Sequence, residues 1–229
     1  MAQLALAFAI GYPTVLTLAY FNWFADGDGL VQRVVMSAGK FVQFGFPAFW
    51  VFVVLRERLG WTWPTARGLG WSLAFGAVTF FAMLLLYFFA LLPLGVFDAP
   101  RAAIEQKVSE IGVDTPLKFA ALATFYALFH SLLEEYYWRW FVFARLRQWM
   151  SFLPAMVISS LGFMSHHVII VATFFGWQSV WTYLFSLSVA VGGAFWAWNY
   201  ENSRSLYAPW ASHLLIDAAI FLIGYHLVF

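Results

Sequence analysis

Residues 69–97 have the sequence LGWSLAFGAVTFFAMLLLYFFALLPLGVF, in which the only ionisable side chain is that of Tyr87. The hydrocarbon core of a membrane is about 30 Å thick, and about 20 helical residues are needed to cross it. The segment is long enough to cross this core, and its apolar residues form a continuous run rather than an amphipathic stripe. We therefore predict a transmembrane helix here.

Six further segments have the same length and apolar character. The spans predicted in this way are residues 4–24, 34–55, 69–97, 119–143, 152–175, 180–198 and 208–229. The predicted fold class is an all-α, polytopic bundle of about seven transmembrane helices. The first apolar stretch lacks the basic start and the cleavage signal of a secretory leader, so we expect it to be retained as a span.

The composition supports this fold class and excludes several functions. The chain is 63% hydrophobic and 10% charged, whereas soluble domains have roughly 25% charged residues. Its 12 basic and 11 acidic residues nearly cancel, which argues against nucleic acid as a partner. The absence of cysteine excludes disulfides, thiolate metal sites and cysteine nucleophiles. We expect the many tryptophan and phenylalanine side chains to face lipid and anchor the helices at the interfaces.

The longest polar insertion lies between the third and fourth spans. Within it, Ile104, Val108 and Ile111 share one helical side, which is typical of an amphipathic helix in the membrane interface. The sequence thus predicts three segments: amino-terminal helices for scaffold and substrate access at residues 1–100, an interfacial amphipathic helix at 101–118, and a second helix bundle at 119–229.

Ionisable residues inside the predicted spans are few, and most lie in the fourth, fifth and seventh spans. An ionised side chain at mid-membrane costs roughly 2.5 to 3.5 kcal/mol on insertion scales, so such residues are functional candidates. The candidates are His130, Glu134, Glu135 and Arg139 in the fourth span, His166 and His167 in the fifth, and His213 and Asp217 in the seventh.

Spacing along the helices suggests how these residues interact. Glu135 and Arg139 are four residues apart, so they can form an ion pair on one helix face. Glu134 lies about 100° away, where the arginine cannot fully neutralise it, and such a carboxyl group can both accept and donate a proton near neutral pH. His213 and Asp217 are also four apart, so the carboxylate can orient the imidazole.

Structural roles are the alternatives to these functional interpretations. The two glutamates and Arg139 could form a purely structural salt-bridge network, and His213 with Asp217 could join two helices. Only one of His166 and His167 can point into a given cleft. A residue at the position of His130 more often packs beside a site than takes part in it.

Three short patterns occur in order on separate predicted helices. They are Glu134-Glu135-Tyr-Tyr-Trp-Arg139, Phe163-Met-Ser-His-His167 and His213-Leu-Leu-Ile-Asp217. The patterns resemble the EExxxR, FxxxH and HxxxN or HxxxD motifs of the CPBP family of intramembrane proteases, which includes type II CAAX prenyl endopeptidases and Abi proteins. The resemblance covers about residues 119–220.

The resemblance implies a role for each residue of the patterns. Glu134 would activate the attacking water, and His167 would hold that water or share its proton. His213 and Asp217 would stabilise the oxyanion of the tetrahedral intermediate, although Asp217 stands where many members have asparagine. Supporting residues would be Glu135, Arg139, Phe163 and His130.

The function expected from this resemblance is an intramembrane endopeptidase that cuts near the carboxyl end of a membrane-anchored substrate, which could be lipidated or carry a sorting tail. We expect a multi-pass protein of a prokaryotic cell membrane, no cofactor, and no partner beyond the substrate and the lipid bilayer. Zinc bound by His167, His213 and Glu134 is the alternative cofactor. A catalytically idle immunity or binding protein and a small proton-relay transporter are the alternative functions.

Overall fold

A computed structural model describes residues 1–24, 29–58 and 62–229, and these residues form eight helices and no strand. Their order along the chain is α1 (Ala2–Trp23), α2 (Gly29–Val54), α3 (Ala66–Leu91), α4 (Asp98–Glu110), α5 (Pro116–Leu146), α6 (Phe152–Phe175), α7 (Val180–Ser203) and α8 (Tyr207–Val228). All except α4 are long and apolar enough to span a membrane, which confirms the predicted seven-span, all-α fold class.

Most helix boundaries lie within a few residues of the predicted ones, and α6 covers the predicted residues 152–175. Helix α2 begins at Gly29 rather than residue 34. Helix α7 continues to Ser203, past the predicted end at residue 198. This last turn is stable because Asn199 and Ser203 are buried and make hydrogen bonds, so their polarity does not end the helix.

The amphipathic helix α4 is shorter than the predicted 101–118, because it ends at Glu110. Gly112 follows with a φ of 75°, a left-handed conformation that stops a helix and favours glycine. The next helix then begins at Pro116, and the Thr115 side chain accepts a hydrogen bond from the Lys118 backbone N–H. The location of α4 in the membrane interface stays a prediction.

Helix α5 is interrupted by two π-helical segments, Tyr126–His130 and Tyr136–Phe143. Between them lies a short α-helical segment, Ser131–Glu135, which contains both candidate glutamates. A π-helical turn inserts an extra residue into the helix and changes the directions of the side chains that follow. Such turns are frequent at functional sites.

The described residues form two compact units that are not contiguous in sequence. The first contains Met1–Thr62 and Tyr136–Trp198, and the second contains Trp63–Glu135 and Asn199–Phe229. The functional division at residues 100 and 118 stays a prediction, and residues 25–28 and 59–61 of its first segment lie outside the described residues.

Polar contacts and a close approach hold the helices of the first unit together. The Tyr137 hydroxyl donates to the Ala9 carbonyl at 2.6 Å. The Thr14 and Ser165 hydroxyls are 2.5 Å apart, which joins α1 to α6. Gly162 of α6 permits a close approach, because a Cβ atom there would lie 2.9 Å from the Trp138 ring. These contacts fix the part of α5 that carries Arg139.

An ion pair links the end of α2 to the end of α5 in the same unit. The Arg145 guanidinium donates to both Glu57 carboxylate oxygens, at 2.9 and 2.5 Å. Hydrogen bonding and the positive charge of Arg145 hold the pKa of Glu57 below its ordinary value of 4.5. The Glu57 side chain is 47% exposed, so solvent screening limits the pair to about 1 kcal/mol or less.

The Glu57 pair predicts a small, acid-sensitive contribution to stability. Because the folded-state pKa of Glu57 is lowered, the stabilisation is complete above the ordinary pKa and is lost as the pH falls through the folded value. Replacing Glu57 by Gln should therefore reduce the acid sensitivity of thermal unfolding, measured between about pH 3 and pH 6. A Glu57→Gln variant as acid-sensitive as the parent would contradict this assignment.

In the second unit α3 packs along α8. The Asn199 side chain donates to the Gly68 carbonyl at 3.3 Å, which fixes the beginning of α3 against the last turn of α7. The Trp63 and Tyr207 rings stack with centroids 5.1 Å apart, just before α3 and at the start of α8. The Trp210 indole donates to the Leu128 carbonyl at 3.0 Å and so joins α8 to α5.

Candidate functional site

Five of the sequence-predicted residues come together in the second unit, and we call them the carboxyl–histidine cluster. Its members are His130, Glu134, Glu135, His213 and Asp217, which lie on α5 and α8. Glu134, Glu135 and His213 are 4%, 0% and 3% exposed. Buried polar groups at such positions must be satisfied by one another, because burying an unpaired charge is very costly.

His213 is the centre of the cluster. Its Nδ1 lies 2.8 Å from Oε1 of Glu135, and its Nε2 lies 3.6 Å from Oε2 of Glu134. A carboxylate only accepts hydrogen bonds, so Nδ1 carries a proton and its N–H donates a hydrogen bond to Glu135. This bond fixes the ring orientation and directs Nε2 towards Glu134.

Glu134 lies between two imidazole rings. Its Oε2 is 3.6 Å from His213 Nε2 and 3.8 Å from Nδ1 of His130, which precedes it by one turn. Both distances exceed an ordinary hydrogen bond, so each contact tightens only if a ring moves or a small molecule bridges it. A buried carboxylate in this environment can exchange a proton with a bridging water.

Asp217 is the least buried carboxyl group of the cluster, with a side chain that is 16% exposed. Its Oδ1 lies 3.7 Å from His213 Nε2. The close contact at Nδ1 of the ring is therefore with Glu135, which sits on another helix, and not with the aspartate four residues along the same helix. Asp217 instead shares the Nε2 side of the ring with Glu134.

Arg139 lies in the first unit and is almost fully buried, with 2% exposure. Its guanidinium carbon is 4.9 Å from the ring centroids of both Phe163 and Trp196. Its Nη2 donates to the Gly193 carbonyl at 3.3 Å. Two aromatic faces and a carbonyl oxygen all stabilise a cation, so this site is built for a planar guanidinium.

We expect Arg139→Ala to reduce the amount of folded protein more than the activity of each folded molecule. The substitution empties the space between Phe163 and Trp196. It would also remove one partner of the predicted pair with Glu135, and such a loss costs roughly 3 to 5 kcal/mol for a buried ion pair. Thermal unfolding and the yield of monodisperse protein in detergent measure the effect. Arg33→Ala, at an exposed arginine of the same unit, is the matched control.

A second substitution tests the sequence-predicted pairing of Arg139 with Glu135. If Arg139 neutralises that carboxylate, the double variant Arg139→Ala with Glu135→Gln should recover much of the lost folding. A double variant no more stable than Arg139→Ala would show that the pairing is wrong.

The two adjacent histidines of α6 have different surroundings in the first unit. The His166 ring is buried and stacks on the Trp138 ring at 6.0 Å, with an interplanar angle of 5°. His167 is partly exposed, and its Nδ1 lies 2.9 Å from the Phe163 carbonyl oxygen. A carbonyl can only accept, so Nδ1 of His167 is protonated and Nε2 is the acceptor atom of the neutral ring.

The choice of His167 over His166, which rests on the FxxxH pattern, stays a prediction. Phe163 contributes its backbone oxygen to His167 and its ring to Arg139, so one residue supports two predicted site residues. The Glu135–Arg139 pair and the alternative zinc set combine residues of both units. Both therefore stay predictions.

Two buried tryptophans were missed by the sequence analysis. Trp138 is 0% and Trp196 is 3% exposed, whereas we expected tryptophans mainly at lipid-facing and interfacial positions. Trp138 supports His166, and Trp196 covers Arg139. The position of Trp138 inside the first motif, directly before Arg139, was the one available signal.

Comparison with known proteins shows which family this part of the chain resembles. Residues 116–219 match the family model described as type II CAAX prenyl endopeptidase Rce1-like. No curated protein and no solved structure matches the chain. The matched segment begins with the first residue of α5 and ends just after Asp217, so it contains all three motifs.

The match confirms the resemblance to the CPBP family, and the family implies a membrane protease. With seven helices that can span a bilayer, the protein is a multi-pass integral membrane protein. Residues 116–219, which carry the buried glutamates, the arginine and the histidines described above, are therefore similar to the Rce1-like type II CAAX prenyl endopeptidases.

Proposed function

We propose that the protein is an intramembrane endopeptidase that hydrolyses a peptide bond near the carboxyl end of a membrane-anchored substrate. In this proposal a water molecule activated by Glu134 is the nucleophile and no metal takes part. One observation above all supports it: Glu134 is buried and lies between the imidazoles of His213 and His130, beyond direct hydrogen-bond distance of either. That spacing suits a carboxylate that works on a small bridging molecule.

In the first step Glu134 acts as a general base. Its carboxylate accepts a proton from water while the water oxygen forms a bond to the carbonyl carbon of the substrate, and the carbonyl π electrons move onto oxygen. When the C–N bond breaks, the protonated Glu134 gives its proton to the leaving amine nitrogen. One residue thus serves as base and then as acid.

His213 supplies positive charge to the oxyanion in this scheme. When the ring is doubly protonated, Nδ1–H donates to Glu135 and Nε2–H can donate to the oxyanion. Glu135 is then a positioning residue, because it holds the ring without touching the substrate. Asp217 would act either as a neutral carboxyl donor or through its contact with Nε2, since an ionised carboxylate beside an oxyanion would oppose it.

In the proposed mechanism His167 orients the attacking water. Its Nδ1–H donates to the Phe163 carbonyl, so Nε2 can accept a hydrogen bond from the attacking water and orient its lone pair. His130 and Arg139 are supporting residues that do not react.

The proposed substrate is a membrane protein or peptide anchored in the bilayer, either by a lipid or by a hydrophobic sorting tail. The family name includes prenylated CAAX proteins, and the buried location of the cluster suits a bond presented at the membrane. We further propose that the protein belongs to a prokaryotic cell membrane.

The decisive experiment compares the membrane proteomes of cells that contain the parent protein and cells that contain Glu134→Ala. Proteolysis predicts one or more membrane-anchored proteins whose carboxyl ends remain uncut only in the variant. Identical carboxyl termini in both proteomes, with equal expression of the two proteins, would contradict the proposal and favour the catalytically idle binding protein.

A further inference from the structure

Helix α3 presents three small residues, each four positions from the next, to its neighbours in the second unit. They are Gly68, Ser72 and Gly76. A Cβ atom on Gly76 would lie 2.8 Å from Cα of Ser212, which is closer than real Cβ contacts allow. Small residues at this spacing let two membrane helices approach closely, and here the closest approach is to the first turns of α8.

Because α3 and α8 approach closely here, the Ser72 hydroxyl can make hydrogen bonds with the backbone of α8. Its side chain is 0% exposed. The hydroxyl accepts a hydrogen bond from the Ser212 N–H at 3.1 Å and donates to the Ala208 carbonyl. These two backbone groups are four residues apart, the spacing that pairs them in a regular helix. Ser72 therefore joins α3 to one particular turn of α8.

That turn carries His213, the residue directly after Ser212. The direction of a helical side chain follows from the backbone that bears it, so a shift of this turn moves the imidazole. A displacement of the ring would change both of its contacts, the 2.8 Å hydrogen bond from Nδ1 to Glu135 and the 3.6 Å distance from Nε2 to Glu134.

We propose that Ser72, with the close approach that Gly76 permits, is a positioning residue that holds His213 in register with Glu135 and Glu134. This inference rests on the proposed function for its catalytic consequence, but the position of the ring can be measured separately. It also assigns a role to α3, which lies outside the matched residues 116–219.

The chain offers closely matched variants for the test. Gly76→Ala places a methyl group against Ser212, whereas Gly70→Ala makes the same change on the same helix where nothing lies within 4 Å. Ser72→Ala removes the hydroxyl that contacts α8. Its control is Ser188→Ala, at an exposed serine whose hydroxyl donates only to its own helix, at the Phe185 carbonyl.

The first measurement follows the His213 ring by NMR of protein labelled with 15N-histidine, with the signal assigned by its loss in His213→Gln. The ring N–H that donates to Glu135 should shift in Ser72→Ala and in Gly76→Ala, and should not move in Gly70→Ala or Ser188→Ala. An unchanged signal in Ser72→Ala would overturn the proposal, whatever the activity. Ser72→Ala decides the matter even if Gly76→Ala does not fold.

The second measurement is turnover of an internally quenched, farnesylated peptide with a CAAX carboxyl end. A misplacement of about 1 Å can cost about 100-fold in rate, so kcat should fall by about 10-fold to 100-fold in Ser72→Ala while KM changes little. A rise in KM with unchanged kcat would show that Ser72 serves only substrate binding and would overturn the positioning role.

The two measurements separate the two proposals. If the parent protein does not cleave the peptide but the ring signal responds to Ser72→Ala, the proposed function fails for this substrate and the positioning of His213 stands. If the parent cleaves the peptide and neither the signal nor kcat changes in Ser72→Ala, the positioning fails and the proposed function stands.

Discussion

Glu134→Gln should abolish peptide hydrolysis while leaving the protein folded and inserted in the membrane. The amide has nearly the same shape as the carboxylate, so the contacts around it change little. It cannot take a proton from water, however, and general acid–base catalysis contributes about 100-fold to 10,000-fold to such reactions. Steady-state turnover of the farnesylated peptide by purified protein measures the loss, and thermal unfolding measures the fold.

The same chemical change elsewhere provides the control. Glu105→Gln alters an exposed glutamate of α4 that pairs with Arg101 at 2.9 Å and takes part in no proposed step, so the turnover of this variant should equal that of the parent. Retention of more than a few per cent of activity by Glu134→Gln would remove Glu134 from the role of base. A glutamine variant that is inactive because it unfolds would show an early unfolding transition, which Glu105→Gln would lack.

The spans could be predicted from the sequence because membrane crossing depends on local length and polarity. Residues 152–175 illustrate this, since the predicted segment and α6 coincide. The concentration of ionisable residues in α5, α6 and α8 was equally visible, because charge inside a bilayer is rare. Helix ends were less predictable: α7 extends to Ser203 because buried contacts stabilise residues whose polarity predicted a loop.

Contacts between different helices could not be predicted in the same way. The four-residue spacing of His213 and Asp217 predicted that the aspartate orients the ring, but Glu135 occupies that position at 2.8 Å. The rotation and depth of the other helix decide which of its residues reaches Nδ1. The spacing of residues along one helix carries no information about either. The contact of Ser72 with α8 could not be predicted for the same reason. A stripe of small residues predicts close packing of two helices, but it does not predict which turn of the second helix is contacted.

The choice between glutamate and zinc chemistry can be settled because the two mechanisms assign different work to the same histidines. In the proposed metal-free mechanism, His213 would donate a hydrogen bond to the oxyanion and His167 would accept one from the attacking water. Loss of one oxyanion donor costs about 100-fold to 1000-fold in turnover. We therefore expect turnover to fall by about that factor in His213→Ala and by at least as much in His167→Ala. The turnover of His226→Ala should stay close to that of the parent, because His226 contacts Tyr87 and takes part in no proposed step.

Metal content distinguishes the mechanisms where activity alone does not. If zinc were bound by His167, His213 and Glu134, activity would follow metal content, and prolonged chelation would inactivate the enzyme reversibly. A metal-free site predicts that purified, active protein contains well under one zinc per chain and resists chelators. It also predicts that the histidine variants lose turnover without a change in bound metal. Stoichiometric zinc that disappears with either histidine would overturn the glutamate mechanism and establish a metalloprotease.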